Sequence, residues 1–171
     1  TGTAAEGTPV NGGTLNVGFI SDVRTLNPLQ STQWTERQIL FLIFDRLVDL
    51  EPDFSLKPGL TESWDFEDGG KRVILHLRKG VKFHNGNDFT ADDVVFSAER
   101  VRSEASDLKT RIEPDVKVEK VDDYTVDFVL QSPNPILHYE WDTWAIMDKE
   151  WAEANDTVQV MSASDETPNY A

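Results

Sequence analysis

The residues best equipped for chemistry crowd one stretch, LHLRKGVKFHNGNDFTADDVVFSAERV, Leu75 to Val101. It holds His76 and His84, the bases Arg78, Lys79 and Lys82, and the acids Asp88, Asp92 and Asp93. Such a mixture suits three kinds of site: imidazoles for a metal, bases beside a glycine for a phosphate, or paired carboxylates for acid–base work. None has the required spacing. His76 and His84 fall in different segments, outside any H-x-x-x-H or H-E-x-x-H pattern, and His138 stands far along the chain. The run RKGVKFHNGND lacks the G-x-x-x-x-G-K-[ST] spacing, and acids occupy the helix start where an anion would sit. Asp92 and Asp93 are neighbours on a helix and do not face each other. A G-x-S-x-G elbow is absent from the chain. No catalytic residue, metal or cofactor is expected.

The same residues have structural work instead. Leu75 and Leu77 end a strand whose other face shows His76 and Arg78. Val81 and Phe83 resume the alternation, and Asn85-Gly86 supplies a turn. Thr90 is the expected N-cap of a helix, with Asp93 at N3 as an acidic capping box and Phe89 and Val94 as a hydrophobic staple. Val94, Ala98 and Val101 form the inward stripe, with Glu99, Arg100 and Arg102 outside.

Upstream, TLNVGFI (Thr14 to Ile20) alternates Leu15, Val17 and Phe19, a strand pattern. The loop SDVRTLNP follows, and Pro28 stops the strand. Thr35 or Thr32 caps a helix with Ile39, Leu40, Ile43, Phe44 and Leu47 at helical spacing. EPDFSLKPGL is a connection that turns Phe54 and Leu56 inward. ESWDFEDGGKRVILHLR reads as a hairpin, with Trp64 and Phe66 on one arm, Val73, Leu75 and Leu77 on the other, and Gly69–Gly70 between. A second hairpin sets Val116 and Val118 against Val126, Phe128 and Leu130 across Asp122–Asp123. ILHYEWDTWAIMDKEWAEA is aromatic-rich and partly helical.

The chain has 171 residues, 39% of them apolar, enough to build a core. Its 31 acidic against 16 basic residues give a formal charge of −15, which repels phosphate backbones and anionic membranes. No nucleic-acid partner is expected, and a charge of this size favours a soluble monomer. Without cysteine, disulfides, thiolate–zinc sites and thiol nucleophiles are excluded, while the compartment stays open. The longest apolar run, Ile39 to Phe44, is far too short to span a membrane. The start, TGTAAEGTPVNGG, fits a tail left after leader cleavage, a cloning remnant or a disordered terminus. The end, MSASDETPNYA, has loop composition, and a lone strand near the start cannot be stable by itself. Both features predict a fragment of a longer protein.

The order of these pieces closely resembles extracellular solute-binding protein family 5, the peptide-, nickel- and opine-type binding components of ABC importers. The resemblance is carried by LTESWDFEDGGKRVILHLRKGVKFHNGNDFTADDVVFSAERV, with GGTLNVGFISDVRTLNP and IFDRLVDLEPDFSLKPGLTESW before it and VEKVDDYTVDFVLQSPNP after it. The GTGPY-like strand and second lobe that usually follow are absent. The implied fold is α/β, the N-terminal part of a two-lobed, hinge-bending periplasmic-binding-protein-like fold with the family's extra mixed α+β subdomain. The implied divisions are a tail (1–13), the first strand and ligand-side loop of lobe I (14–35), the extra subdomain (36–160) and a linker (161–171).

The resemblance also implies a function: capture of a small solute, an oligopeptide first among candidates, by lobe closure, with delivery to a membrane permease of an ABC importer. Location is then periplasmic or extracellular, with a membrane tether if the protein is a lipoprotein. Ligand contacts fall to Ser21, Asp22, Val23, Arg24, Thr25 and Leu26 after the first strand, to Ser31 and Trp34 past LNP, and to Trp144. Loop aromatics bury area at low entropic cost, and Asp22 and Arg24 can pair with charged ligand ends. For Trp34, Trp141, Trp144 and Trp151 a place in the core is the competing reading. Two other functions stay open, a sensor or chemotaxis receptor component on the same fold, and a hydrolase using His76, His84 or His138 with a carboxylate.

Overall fold

Two hairpins drawn by period-two alternation make the frame. The computed structural model describes residues 12–31 and 33–160. Along the chain run α1 (Trp34–Leu40), β1 (Val48–Leu50), β2 (Leu56–Pro58), β3 (Thr61–Glu67), β4 (Arg72–Leu77), α2 (Ala91–Val101), β5 (Lys117–Asp122), β6 (Thr125–Val129), α3 (Leu137–Glu140) and α4 (Lys149–Ala154). Strands β3, β4, β6 and β5 form, in that order, an antiparallel four-stranded sheet, while β1 and β2 pair by themselves. The β3–β4 turn is Asp68-Gly69-Gly70, in which Gly69 and Gly70 both take positive φ, as an abrupt reversal requires. The hairpins join through β4 and β6, where Val73 faces Phe128 and Leu75 faces Val126.

One sheet face is therefore apolar, and α2 lies against its β5–β6 half. Val73, Leu75, Leu77, Val118, Val126 and Phe128 are buried there with Val94, Ala98 and Val101 of the helix. Each fully buried side chain of this size contributes about 1.5–3 kcal/mol. The indole of Trp141 completes the layer, with its ring centre 5.3 Å from Phe128 and 6.3 Å, edge-on, from Trp64. The opposite face is polar: Arg72 donates to Asp127 across β4–β6, and His76 lies 3.1 Å from Asp65 across β3–β4.

Helix α2 starts as its sequence dictates. Thr90 accepts from the Asp92 N–H, and the Asp93 carboxylate accepts from the Thr90 N–H at 2.8 Å, closing the capping box. Asp93 also accepts from the Lys149 N–H at 2.9 Å, so one side chain anchors the starts of both α2 and α4. Ser97 accepts from the Met147 N–H one turn later. Because α2 is covered on two sides, its buried face is broader than the stripe Val94–Ala98–Val101. Arg100, expected outside, is 3% exposed. Its guanidinium lies 5.5 Å from the Phe96 ring centre with no hydrogen-bond acceptor, and burial lowers its pKa.

Four further expectations are corrected. Thr14 to Ile20 forms no strand, and Leu15 is 86% exposed, because among the described residues no strand pairs with it. Helix α1 is capped by Gln33 without a side-chain bond, and it stops at Leu40, so Ile43 and Leu47 lie beyond it. Thr35 is inside the helix, and Thr32 lies outside the described residues. Phe54 points to solvent at 73% exposure, since it occupies the β1–β2 turn with φ of 66°. Phe66, on the same β3 edge as Trp64, is also exposed, with its ring centre 5.3 Å from that of His138.

Candidate functional site

The loop 21–31 folds back on α1 through one buried acid. Glu36 belongs to the inward face of α1 with Leu40, and its carboxylate is out of contact with solvent. Its Oε1 accepts from the Arg24 backbone N–H and from Arg24 Nε, each at 3.1 Å. Its Oε2 accepts from Ser31 Oγ at 3.1 Å and from Arg24 Nη2 at 3.4 Å. Burial alone pushes the Glu36 carboxyl up, but the bonds from Arg24 and Ser31 outweigh it and hold the group below the ordinary carboxylate range. Nearby, Ser21 Oγ and Thr35 Oγ1 are 2.9 Å apart. Thr25 Oγ1 accepts from the Asn27 N–H, and Asn27 Oδ1 from the Leu29 N–H, setting the turn before Pro28 and Leu29 enter the core.

This places the sequence candidates. Ser21, Arg24 and Ser31 come together on α1, and Thr25 is bonded within the loop itself. Asp22, Val23 and Leu26 stand exposed along the same loop. Trp34, first residue of α1, is 70% exposed, so its indole is a free surface on a rigid element. Trp144 is 1% exposed and belongs to the core. Its neighbours Thr143 and Ala145 reach the loop, bounding with Pro28, Ser31 and Arg37 a cavity of about 20 Å³. Trp141 is likewise core, and Trp151 is half-buried beside a separate apolar cavity of about 340 Å³, lined also by Phe44, Val81 and Phe83. That larger cavity uses no residue of the 21–34 loop.

Three residues were missed from the sequence. Glu36 shares a helical face with Leu40, a spacing that marks it as inward, yet a charged residue there reads first as a solvated one. Arg37 and Phe41 line up with Trp34 at positions three and seven residues on, which is the opposite face of the same helix. The Phe41 ring lies under two guanidinium groups, Arg46 at 4.0 Å and Arg37 at 5.4 Å from its centre.

The histidines do not build a catalytic group. His76 is on the polar face of the sheet, His84 is exposed in the turn region after β4, and His138 stacks 4.4 Å from Tyr139 on α3. Among the described residues no hydroxyl is hydrogen-bonded to any of them, and only His76 meets a carboxylate.

The family model of the bacterial extracellular solute-binding proteins, family 5 (middle region) matches residues 55–169. The chain belongs to this family. The dipeptide-binding protein of Escherichia coli K12 is 36% identical over 137 residues, which cover 66% of this chain and 25% of that protein. Among solved family 5 structures, the oligopeptide-binding protein AppA of Bacillus subtilis in complex with a nonapeptide superposes with a TM-score of 0.68 at 32% identity, over 75% of this chain and 26% of that one. NikZ of Campylobacter jejuni in complex with Ni(L-His) gives 0.69 at 29% identity, over 78% of this chain and 27% of that one. The chain thus spans about a quarter of the length of the relatives it matches. Its mixed helix-and-sheet architecture is a part of the family 5 binding-protein fold.

Proposed function

We propose that the chain is the N-terminal part of an oligopeptide-capturing component of an ABC importer, which closes a second lobe over its ligand and passes it to a membrane permease. The observation that carries this is the agreement of sequence and fold with relatives named for dipeptides and oligopeptides, one of them seen holding a nonapeptide. On this reading the protein is not an enzyme. It acts outside the cytoplasm, periplasmic or extracellular, as a monomer, with no nucleic-acid partner. Among the described residues no helix is long and apolar enough to cross a membrane.

The ligand-facing surface is assigned to the 21–31 loop and the outer face of α1. Ser21 to Leu26 and Ser31 form a rim tied to Glu36 at Arg24 and Ser31, and Trp34 offers a flat apolar surface. A rim already tied down costs little ordering entropy on binding, which leaves more of the contact energy for affinity. Trp144 contributes from behind, as a core residue that fixes Thr143 and Ala145. The divisions 14–35 and 36–160 are kept as parts of one lobe, with 1–13 and 161–171 as connections. Titration of the full-length gene product with di- to pentapeptides, followed by calorimetry, tests this. Saturable binding is expected, and its absence across the series overturns it.

A further inference from the structure

The outer face of α1 carries a half-buried cation with no acceptor from the protein among the described residues. Arg46 donates to Asp142 at 2.7 Å and to Asp49, and Arg111 donates to Glu140 at 3.1 Å. Arg37, half-buried on α1, has no hydrogen-bond acceptor and no ion-pair partner among the described residues. Its guanidinium lies 5.4 Å from the centre of the Phe41 ring, which it shares with Arg46. Burial lowers the Arg37 pKa, Asp142 opposes this, and the positive charges of Arg111 and Arg46 add to it. The group stays charged all the same, because an arginine does not lose its proton in a protein. It is therefore a charge partly out of water, with Asp142 as well as Arg46 and Arg111 near it, and with five N–H donors that no protein acceptor among the described residues meets.

Its position suits recognition. Arg37 is one helical turn from Trp34 and borders the small cavity reached by Ser31 and Thr143. In a chain of formal charge −15, Asp142, Asp49 and Glu140 are taken up by Arg46 and Arg111, which leaves Arg37 as the cation of this corner without a carboxylate bonded to it. Arg46 and Arg111 already hold carboxylates, so the open fork is that of Arg37. Its planar geometry fits a carboxylate with two parallel hydrogen bonds.

We propose that Arg37 recognises a carboxylate of the captured solute, with the Trp34 indole packed beside it. This rests on the peptide-capture reading and adds the polarity of the ligand: an acidic group is seated at the α1 face. In a peptide that group is either the terminal carboxylate or an acidic side chain.

The test uses the full-length gene product and three peptides: trialanine, trialanine carboxamide, and an Ala-Glu-Ala carboxamide. The expected result is at least about tenfold weaker binding of the plain carboxamide, with that discrimination abolished in Arg37→Gln and partly kept in Arg37→Lys. Recovery by the glutamyl peptide assigns the side chain as the source; no recovery assigns the terminal carboxylate. Equal binding of acid and amide by the wild type overturns the Arg37 assignment and leaves peptide capture standing. If none of the three peptides binds, Arg37 is judged directly by acetate titration of the ¹⁵N-labelled protein. A saturable shift of its Nε resonance, absent in Arg37→Gln, then supports the carboxylate site, and no shift overturns it.

Discussion

Arg24 and Glu36 lock the candidate ligand loop to the first helix: the buried carboxylate accepts from both the backbone and the guanidinium of the arginine. Charge in the first turn of α1 thus shapes a loop twelve residues earlier in the chain. Because Glu36 is held below the ordinary carboxylate range, its contribution to stability is fully present above its unfolded pKa. It is lost as pH falls through the lower folded value, below about pH 4. Arg24→Ala is expected to cost about 1 kcal/mol, since the guanidinium is more than half in water and its pairing is screened. It should also move the acid-side loss of stability to higher pH. Urea unfolding across pH 3–7 measures both, and an unchanged acid limb contradicts the assignment.

Asp93 has the opposite sign. Burial pushes its carboxyl above the ordinary range, against the hydrogen bonds from the Lys149 and Thr90 N–H groups. Its shift therefore favours the fold below the unfolded pKa and loses that benefit as pH rises through the folded one. Asp93→Ala removes the acceptor for the starts of both α2 and α4, and a loss of about 2 kcal/mol is expected at neutral pH. Denaturation midpoints of Asp93→Ala and Thr90→Ala check it: Thr90→Ala loses only the cap, about 1 kcal/mol, so the Asp93 variant should be the weaker fold.

Gly59 tests the junction of the two sheets. A Cβ there would lie 2.5 Å from the Arg46 carbonyl oxygen and 3.1 Å from that of Leu47, both backbone atoms with no room to yield. The Gly59 N–H also donates to the Leu47 carbonyl at 3.2 Å. Gly59→Ala is expected to lower stability by about 1–3 kcal/mol. A thermal midpoint equal to wild type would show that the β1–β2 pair can shift freely against β3.

Trp34 separates binding from folding. It is exposed on the described structure, so Trp34→Ala should change stability by less than about 0.5 kcal/mol. In the full-length gene product the same change is expected to weaken peptide binding at least about fivefold, as loss of an aromatic anchor does. Calorimetric titration decides; a wild-type affinity removes Trp34 from the site.

Much of the fold was legible because local rules and burial agree. Val73, Leu75 and Leu77 alternate as a half-buried strand must, Asp68-Gly69-Gly70 can hardly do other than turn, and the Thr90–Asp93 box formed as its residue types require. The misreadings share a cause. Leu15, Val17 and Phe19 have strand alternation, but a strand needs a neighbour, and alternation cannot say whether one exists. Arg100 and Glu36 were misread or missed because burial of a charge depends on what packs from a second direction: α4 and the Met147 segment over α2, the 21–31 loop over α1. At the candidate site, the stretch 21–34 came from resemblance. Arg37 did not, because an arginine without a protein acceptor becomes visible only once its neighbours' partners are placed.

The most direct test of the central claim is native mass spectrometry of the full-length gene product, purified without refolding, with gentle release of whatever it carries. Peptide capture predicts adducts that fragment as short peptides and are displaced by excess trialanine. A protein that carries no adduct and gains none on mixing with peptides, or one whose adduct is a non-peptide solute that peptides fail to displace, would contradict it.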